Sequence, residues 1–91
     1  MKKSESKTAV ALKYDKNQNN APKVTAKGKG HVADKIITLA QQNNIPLYKD
    51  QGLVQVLEAL ELNTEIPPEL YRAVAEVLAF IYKLNSSVRN K

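Results

Sequence analysis

From Ile66 the chain runs Ile-Pro-Pro-Glu and then alternates apolar and polar residues at helical spacing as far as Leu84. This stretch most limits what the chain can fold into. Proline in the first turn loses no hydrogen bond there, and the acid beside it suits a helix N-terminus. Leu70, Val74, Val77, Ile81 and Leu84 form one apolar stripe, and Tyr71, Ala75, Leu78 and Tyr82 form a second beside it. Arg72, Glu76, Ala79 and Lys83 are left for water. The apolar arc is about 220° wide on a helical wheel, against the roughly 100° of an ordinary surface helix. Such a helix needs cover. It packs on a sheet and a neighbouring helix together, or its second stripe lines a groove for a partner peptide.

The 91 residues suffice for one domain with one core. The absence of cysteine excludes disulfides, thiolate metal sites and cysteine nucleophiles, and the cytoplasm is the default compartment. No apolar run approaches the roughly 20 residues needed to span a bilayer, and polar residues follow Met1-Lys2-Lys3 where a signal peptide needs its apolar segment. The net charge of +5 lies at the front: residues 1–35 carry nine lysines and three acids, for +6, while residues 36–91 sum to −1. That bias suits nucleic acid, an acidic protein, anionic headgroups or simple solubility, and charge alone does not choose among them.

Residues 1–7 read as a flexible basic leader, 8–84 as the domain and 85–91 as a polar tail. Thr8 to Tyr14 has a period of two, with Val10, Leu12 and Tyr14 on one side and Ala9, Ala11 and Lys13 on the other. That pattern is a strand with one face on a core. The polar stretch from Asp15 to Ala21 fits a hairpin-like return to a second strand, Pro22 to Ala26. Gly28 and Gly30 break it. A helix from His31 to about Asn43 follows, with Val32, Ile36, Leu39 and Ala40 on its apolar face. Ile45 to Tyr48 reads as a third strand reached by a parallel crossover, which makes the sheet mixed. Asp50 is the expected N-cap of a helix from Gln51 to Leu62 that buries Leu53, Val56, Leu57 and Leu60. The expected class is α/β: a small mixed sheet of about three strands flanked by three main helices.

No catalytic constellation assembles. His31 is the only histidine, so a Ser-His-Asp arrangement or a multi-histidine metal site has nothing further to draw on. Glu58, Glu61, Glu65, Glu69 and Glu76 are spread along two helices as a solvated face. Lys27-Gly28-Lys29-Gly30 precedes a helix, yet its spacing fits neither a P-loop nor a dinucleotide fingerprint, and a turn accounts for both glycines. The front lysines have no arginine among them and little aromatic interleaving, a poor basis for nucleic-acid binding. No enzyme activity, cofactor or metal is expected.

Ala9-Val-Ala-Leu-Lys-Tyr14, Ala21-Pro22, Val24-Thr-Ala-Lys-Gly28, Ile45-Pro46-Leu47 and Ile66 through Ala79 stand in order and with matching gaps. Together these blocks resemble the cytoplasmic domain of the FlhB/YscU export-switch proteins of flagellar and virulence type III secretion, over residues 8–84. The resemblance implies a small α/β domain at the base of a secretion channel, helping to switch export from rod and hook or needle subunits to late substrates. It also implies self-cleavage in an Asn-Pro-Thr-His motif just before the first strand. Here Ser4, Glu5, Ser6 and Lys7 occupy that place and no Asn-Pro bond occurs in the chain, so no cleavage is expected. Gly52 stands where the family commonly has proline.

The same resemblance places a pocket for early export substrates at Ala21, Pro22, Ala75 and Leu78. Two of these lie on the second stripe of the last helix, which adds Tyr71 and Tyr82 to the expected partner-binding set. Substitution of Leu78 by aspartate is expected to leave the fold intact. The family's transmembrane helices and the strand before its cleavage motif have no counterpart in this sequence. An exposed sheet edge beside Thr8 to Tyr14 is therefore expected, open to strand addition or covered by residues 1–7. The leading expectation is a soluble, non-cleaving binding module, cytoplasmic or peripheral at the inner face of the membrane, with export-gate proteins or rod and hook type substrates as partners. The alternative is a small basic nucleic-acid-associated protein that keeps the fold.

Overall fold

Alternation at the front of the chain produces β1, Thr8–Lys13, one residue shorter than the pattern suggested. It pairs antiparallel with β2, Lys23–Lys29, from Thr8 opposite Lys29 to Lys13 opposite Lys23. The register slips between Ala11 and Leu12, where Thr25 is the extra residue and its hydroxyl donates to the Ala11 carbonyl at 3.3 Å. The computed structural model describes residues 7–15, 17 and 20–89, with side chains described as far as Leu84 in the last helix. The expectations placed on Ser4, Glu5 and Ser6 lie outside the described residues.

Three helices complete the order: α1, His31–Gln42, α2, Gln51–Glu58, and α3, Tyr71–Arg89, the last entered through a 3-10 turn at Pro68–Leu70. Asp50 caps α2 as expected, its carboxylate accepting from the Leu53 N–H at 3.0 Å. The helix ends four residues earlier than its apolar run implied. α3 continues past Leu84 to Arg89, so the expected polar tail is helical over most of its length.

The described sheet has two strands, not three, and is antiparallel rather than mixed. Ile45 to Tyr48 makes no ladder because it leaves α1 through a Schellman turn. Asn44 adopts φ 58°, its N–H reaches the Gln41 carbonyl at 3.3 Å, and the Ile45 N–H reaches Ala40 at 2.8 Å. The Asn43 side-chain amide donates to Leu39 at 2.8 Å. The free edge of β2 is met instead by Asn63 to Ile66: Asn63 N–H to the Val24 carbonyl at 2.7 Å, Val24 N–H to Thr64 at 3.0 Å and Ile66 N–H to Pro22 at 2.9 Å. Asn63, at φ 66°, turns the chain into this pairing.

The sheet is sandwiched. On one face lie Ala9 and Gly28, opposite each other in the ladder, and α1 rests on them. A Cβ on Gly28 would stand 2.1 Å from Val32 Cγ1, so the approach of α1 requires glycine at this position. The close fit selects small residues: Ala33 and Ala40 are buried with Ile36 and Ile37 beside them, while Val32 and Leu39, expected inside, are about half exposed. On the other face Val10 and Leu12 meet α2 and α3 around a cluster of Ala21, Leu57, Ile66 and Val74. α2 is also turned slightly from expectation, with Val54 partly covered and Val56 exposed. Val24 and Val74 are the largest side chains wholly removed from water, so this core is thin.

Candidate partner-binding face

α3 presents its surplus apolar surface on two flanks. Leu70, Ala73, Val74, Val77, Leu78 and Ile81 are at least partly covered, an arc of about 140° at 100° per residue. On one side of this arc Leu78 is followed by Tyr71, Ala75 and Tyr82, all exposed, with Tyr82 at 74%. On the other side Phe80, placed in neither stripe by the sequence pattern, meets Tyr48 edge to face with ring centroids 5.3 Å apart. The Tyr48–Phe80 contact is what the supposed third strand does instead of pairing. Its sequence signal is faint: an aromatic four residues from Glu76 on a helix already rich in apolar positions.

The expected site residues divide between core and surface. Ala21 belongs to the central cluster and Pro22 is buried beside it, its carbonyl engaged by Ile66. Leu78 packs against the same cluster and is half-buried rather than free. An aspartate at this position would put charge against the core, contrary to the expectation that the fold would tolerate it. Ala75, Tyr71 and Tyr82 stand outside, on one line along the helix. The arrangement can offer an apolar strip about three turns long, bounded by Arg72 and Lys83, to another chain. Among the described residues no cluster of histidine and carboxylates is placed to hold a metal ion.

Lys7 Nζ lies 2.8 Å from Asp34 Oδ1, joining the start of β1 to the first turn of α1. The hydrogen bond from Lys7, and then its charge, hold the Asp34 carboxyl below the usual carboxylate range; Asp34 in the same way raises Lys7. Lys27 reaches across the α2 face of the sheet and donates to the carbonyls of Glu58, at 2.9 Å, and Leu60. It thereby satisfies acceptors at the end of α2 that no residue in the helix could reach.

A two-stranded antiparallel sheet held between one helix and a helix pair, with the chain's long last helix exposing an apolar flank, defines a small α/β domain. Residues 6–81 match the FlhB HrpN YscU SpaS family, and the chain belongs to it. It is similar to the uncharacterized protein YlqH of Bacillus subtilis, 49% identical over 83 residues that cover 91% of this chain and 89% of that one. The flagellar biosynthetic protein FlhB of Escherichia coli is 46% identical over 77 residues. That match takes in 84% of this chain but only 20% of FlhB, so the chain corresponds to a small part of it. The crystal structure of the cytoplasmic domain of FlhB from Shewanella putrefaciens superposes with a TM-score of 0.87 at 37% identity, covering 91% of this chain and 65% of that domain. No helix among the described residues is long and apolar enough to cross a membrane.

Proposed function

We propose that this chain is a non-cleaving domain of the export-switch type, a binding module without enzymatic activity. It docks on components or early substrates of a flagellar or type III export apparatus. The observation that carries the reading is the position of Leu78. It packs on the core cluster to which Ala21 belongs and borders the exposed line of Tyr71, Ala75 and Tyr82, so a peptide laid along α3 meets one side chain anchored in the core. Family membership supports export-gate membrane proteins, or subunits of rod and hook type, as the partners we propose, met in the cytoplasm at the inner face of the membrane. Nothing in the chain supplies the Asn-Pro bond that cleavage needs, and the purified protein is expected to show its intact mass.

The test is a pull-down of a purified hook-type subunit, and of the cytoplasmic part of an export-gate protein, repeated from low to high salt. Capture through an apolar strip persists as salt rises. Capture that collapses with a steep logarithmic slope is phosphate-like or purely ionic and contradicts the reading.

A further inference from the structure

The flank of α3 that carries Phe80 has a second regularity. Ala73, Val77, Phe80 and Leu84 follow one another at intervals of four, three and four residues, the spacing that keeps a seam of side chains turned toward one partner helix. All four keep surface outside the domain: Ala73 and Val77 are only partly covered, and Phe80 and Leu84 are about half exposed. Tyr48, also about half exposed, leans on Phe80 and adds to the apolar surface there. Glu76 and Lys83 stand one heptad apart, each immediately before a seam residue and therefore on the same edge of the seam. Both are exposed, and neither forms an ion pair among the described residues. At 100° per residue the seam lies roughly opposite the line of Tyr71, Ala75 and Tyr82.

We propose that two copies of this chain pair through this seam, with their α3 helices antiparallel. Charge selects both the occupant and the direction. A twofold axis that sets Val77 of one copy opposite Phe80 of the other also sets Ala73 opposite Leu84, a small residue against a large one. The same register brings Glu76 of each copy beside Lys83 of the other, so one isologous contact yields two ion pairs. A parallel pair would set Glu76 against Ile81 and form neither. The basic excess sits in residues 1–35, whereas residues 36–91, which include α3, sum to −1, so the contact does not press two cationic faces together. Pairing leaves Tyr71, Ala75 and Tyr82 uncovered on each copy, and the inference stands or falls separately from the partner reading above.

The experiment is analytical ultracentrifugation of the unaltered chain from about 1 μM to about 1 mM, the range in which a small helical contact associates. The mass is expected to rise with concentration toward twice that of one chain. Phe80→Glu, at a position outside the core cluster, is expected to weaken dimerisation at least tenfold, with thermal unfolding followed in parallel to show that the variant is folded. Glu76→Lys or Lys83→Glu alone is expected to weaken it several-fold, and the two combined in one chain to restore it. The chain has no cysteine, so a Glu76→Cys chain can be mixed with a Lys83→Cys chain and oxidised. The two variants are expected to link to one another at least tenfold faster than either links to itself, because like positions lie about 10 Å apart along the antiparallel axes. A chain that stays monomeric throughout, a dimer that Phe80→Glu leaves unchanged, or a charge exchange that fails to restore affinity overturns the proposal. So does faster linking of like to like, which would assign the contact to a parallel pair or to another face.

Discussion

Lys27 of β2 caps the carbonyl of Leu60, and with it that of Glu58, across the full width of the α2 face. A lysine in a strand thus does the work usually left to a residue following the helix. The relationship ties the central strand to the end of α2 and to the turn that carries the chain into Asn63–Ile66. Replacing Lys27 by methionine keeps the aliphatic stem and removes the donors. The expected loss is about 1–3 kcal/mol, the range for a charge-assisted hydrogen bond whose partners are partly shielded. Urea denaturation checks it, and an unchanged midpoint would mean that water satisfies those carbonyls equally well.

Gly28 and Val32 set how closely α1 approaches the sheet. Gly28→Ala places a methyl carbon inside the volume of the valine side chain and is expected to cost about 1–3 kcal/mol, the usual penalty of overpacking. Val32→Ala should cost little alone, because Val32 is half exposed. Combined with Gly28→Ala it should recover only part of the loss, because the Val32 Cβ, which alanine keeps, would still stand 2.6 Å from the added methyl. Additive costs in the thermal unfolding of the double variant would show that the two positions do not share that space.

The Lys7–Asp34 pair gives a pH dependence of known sign. Asp34 is lowered when folded, so its stabilising effect is present above the ordinary carboxylate value and fades as pH falls through the depressed one. Lys7 is raised, so its effect is present below the ordinary lysine value and is lost as pH climbs through the elevated one. Both groups are open to solvent, so the effect on stability is small and sensitive to salt. An NMR titration of the Asp34 carboxyl in the Lys7→Gln variant should move its midpoint up toward the ordinary value. A midpoint that stays where it is in the unaltered protein would remove Lys7 as the cause.

How far the sequence foretold these relationships depended on what each element packs against. β1 was legible because Val10 and Leu12 alternate cleanly over one core, and the start of α2 because Asp50 caps it. The faces of α1 and α2 are legible in part: Ile36 and Ala40, and Leu53, Leu57 and Leu60, are covered as the wheel predicts, but a wheel rewards bulky residues, whereas a helix lying on Gly28 and Ala9 also needs Ala33 beneath it. Apolar composition predicts a third strand at Ile45–Tyr48. Hydrogen bonding to β2 went instead to the polar Asn63–Ile66, through a turn at Asn63 that hydrophobic patterning does not record. The wide apolar arc on α3 is legible in the sequence, but its division is not: Leu78 packs against the core, and Phe80, in neither stripe, stays half exposed in contact with Tyr48.

That division of α3 determines the most direct test of the binding face. Leu78 is unsuited to it, because its loss disturbs the core. Ala75 is exposed, lies on the same line as Tyr71 and Tyr82, and tolerates a charge without burying it. Calorimetric titration of a hook-type export subunit into the unaltered chain and into the Ala75→Asp variant compares the two at equal thermal stability. The account predicts measurable binding by the first and at least tenfold weaker binding by the second. Equal affinity in both, or no binding by either, would contradict it.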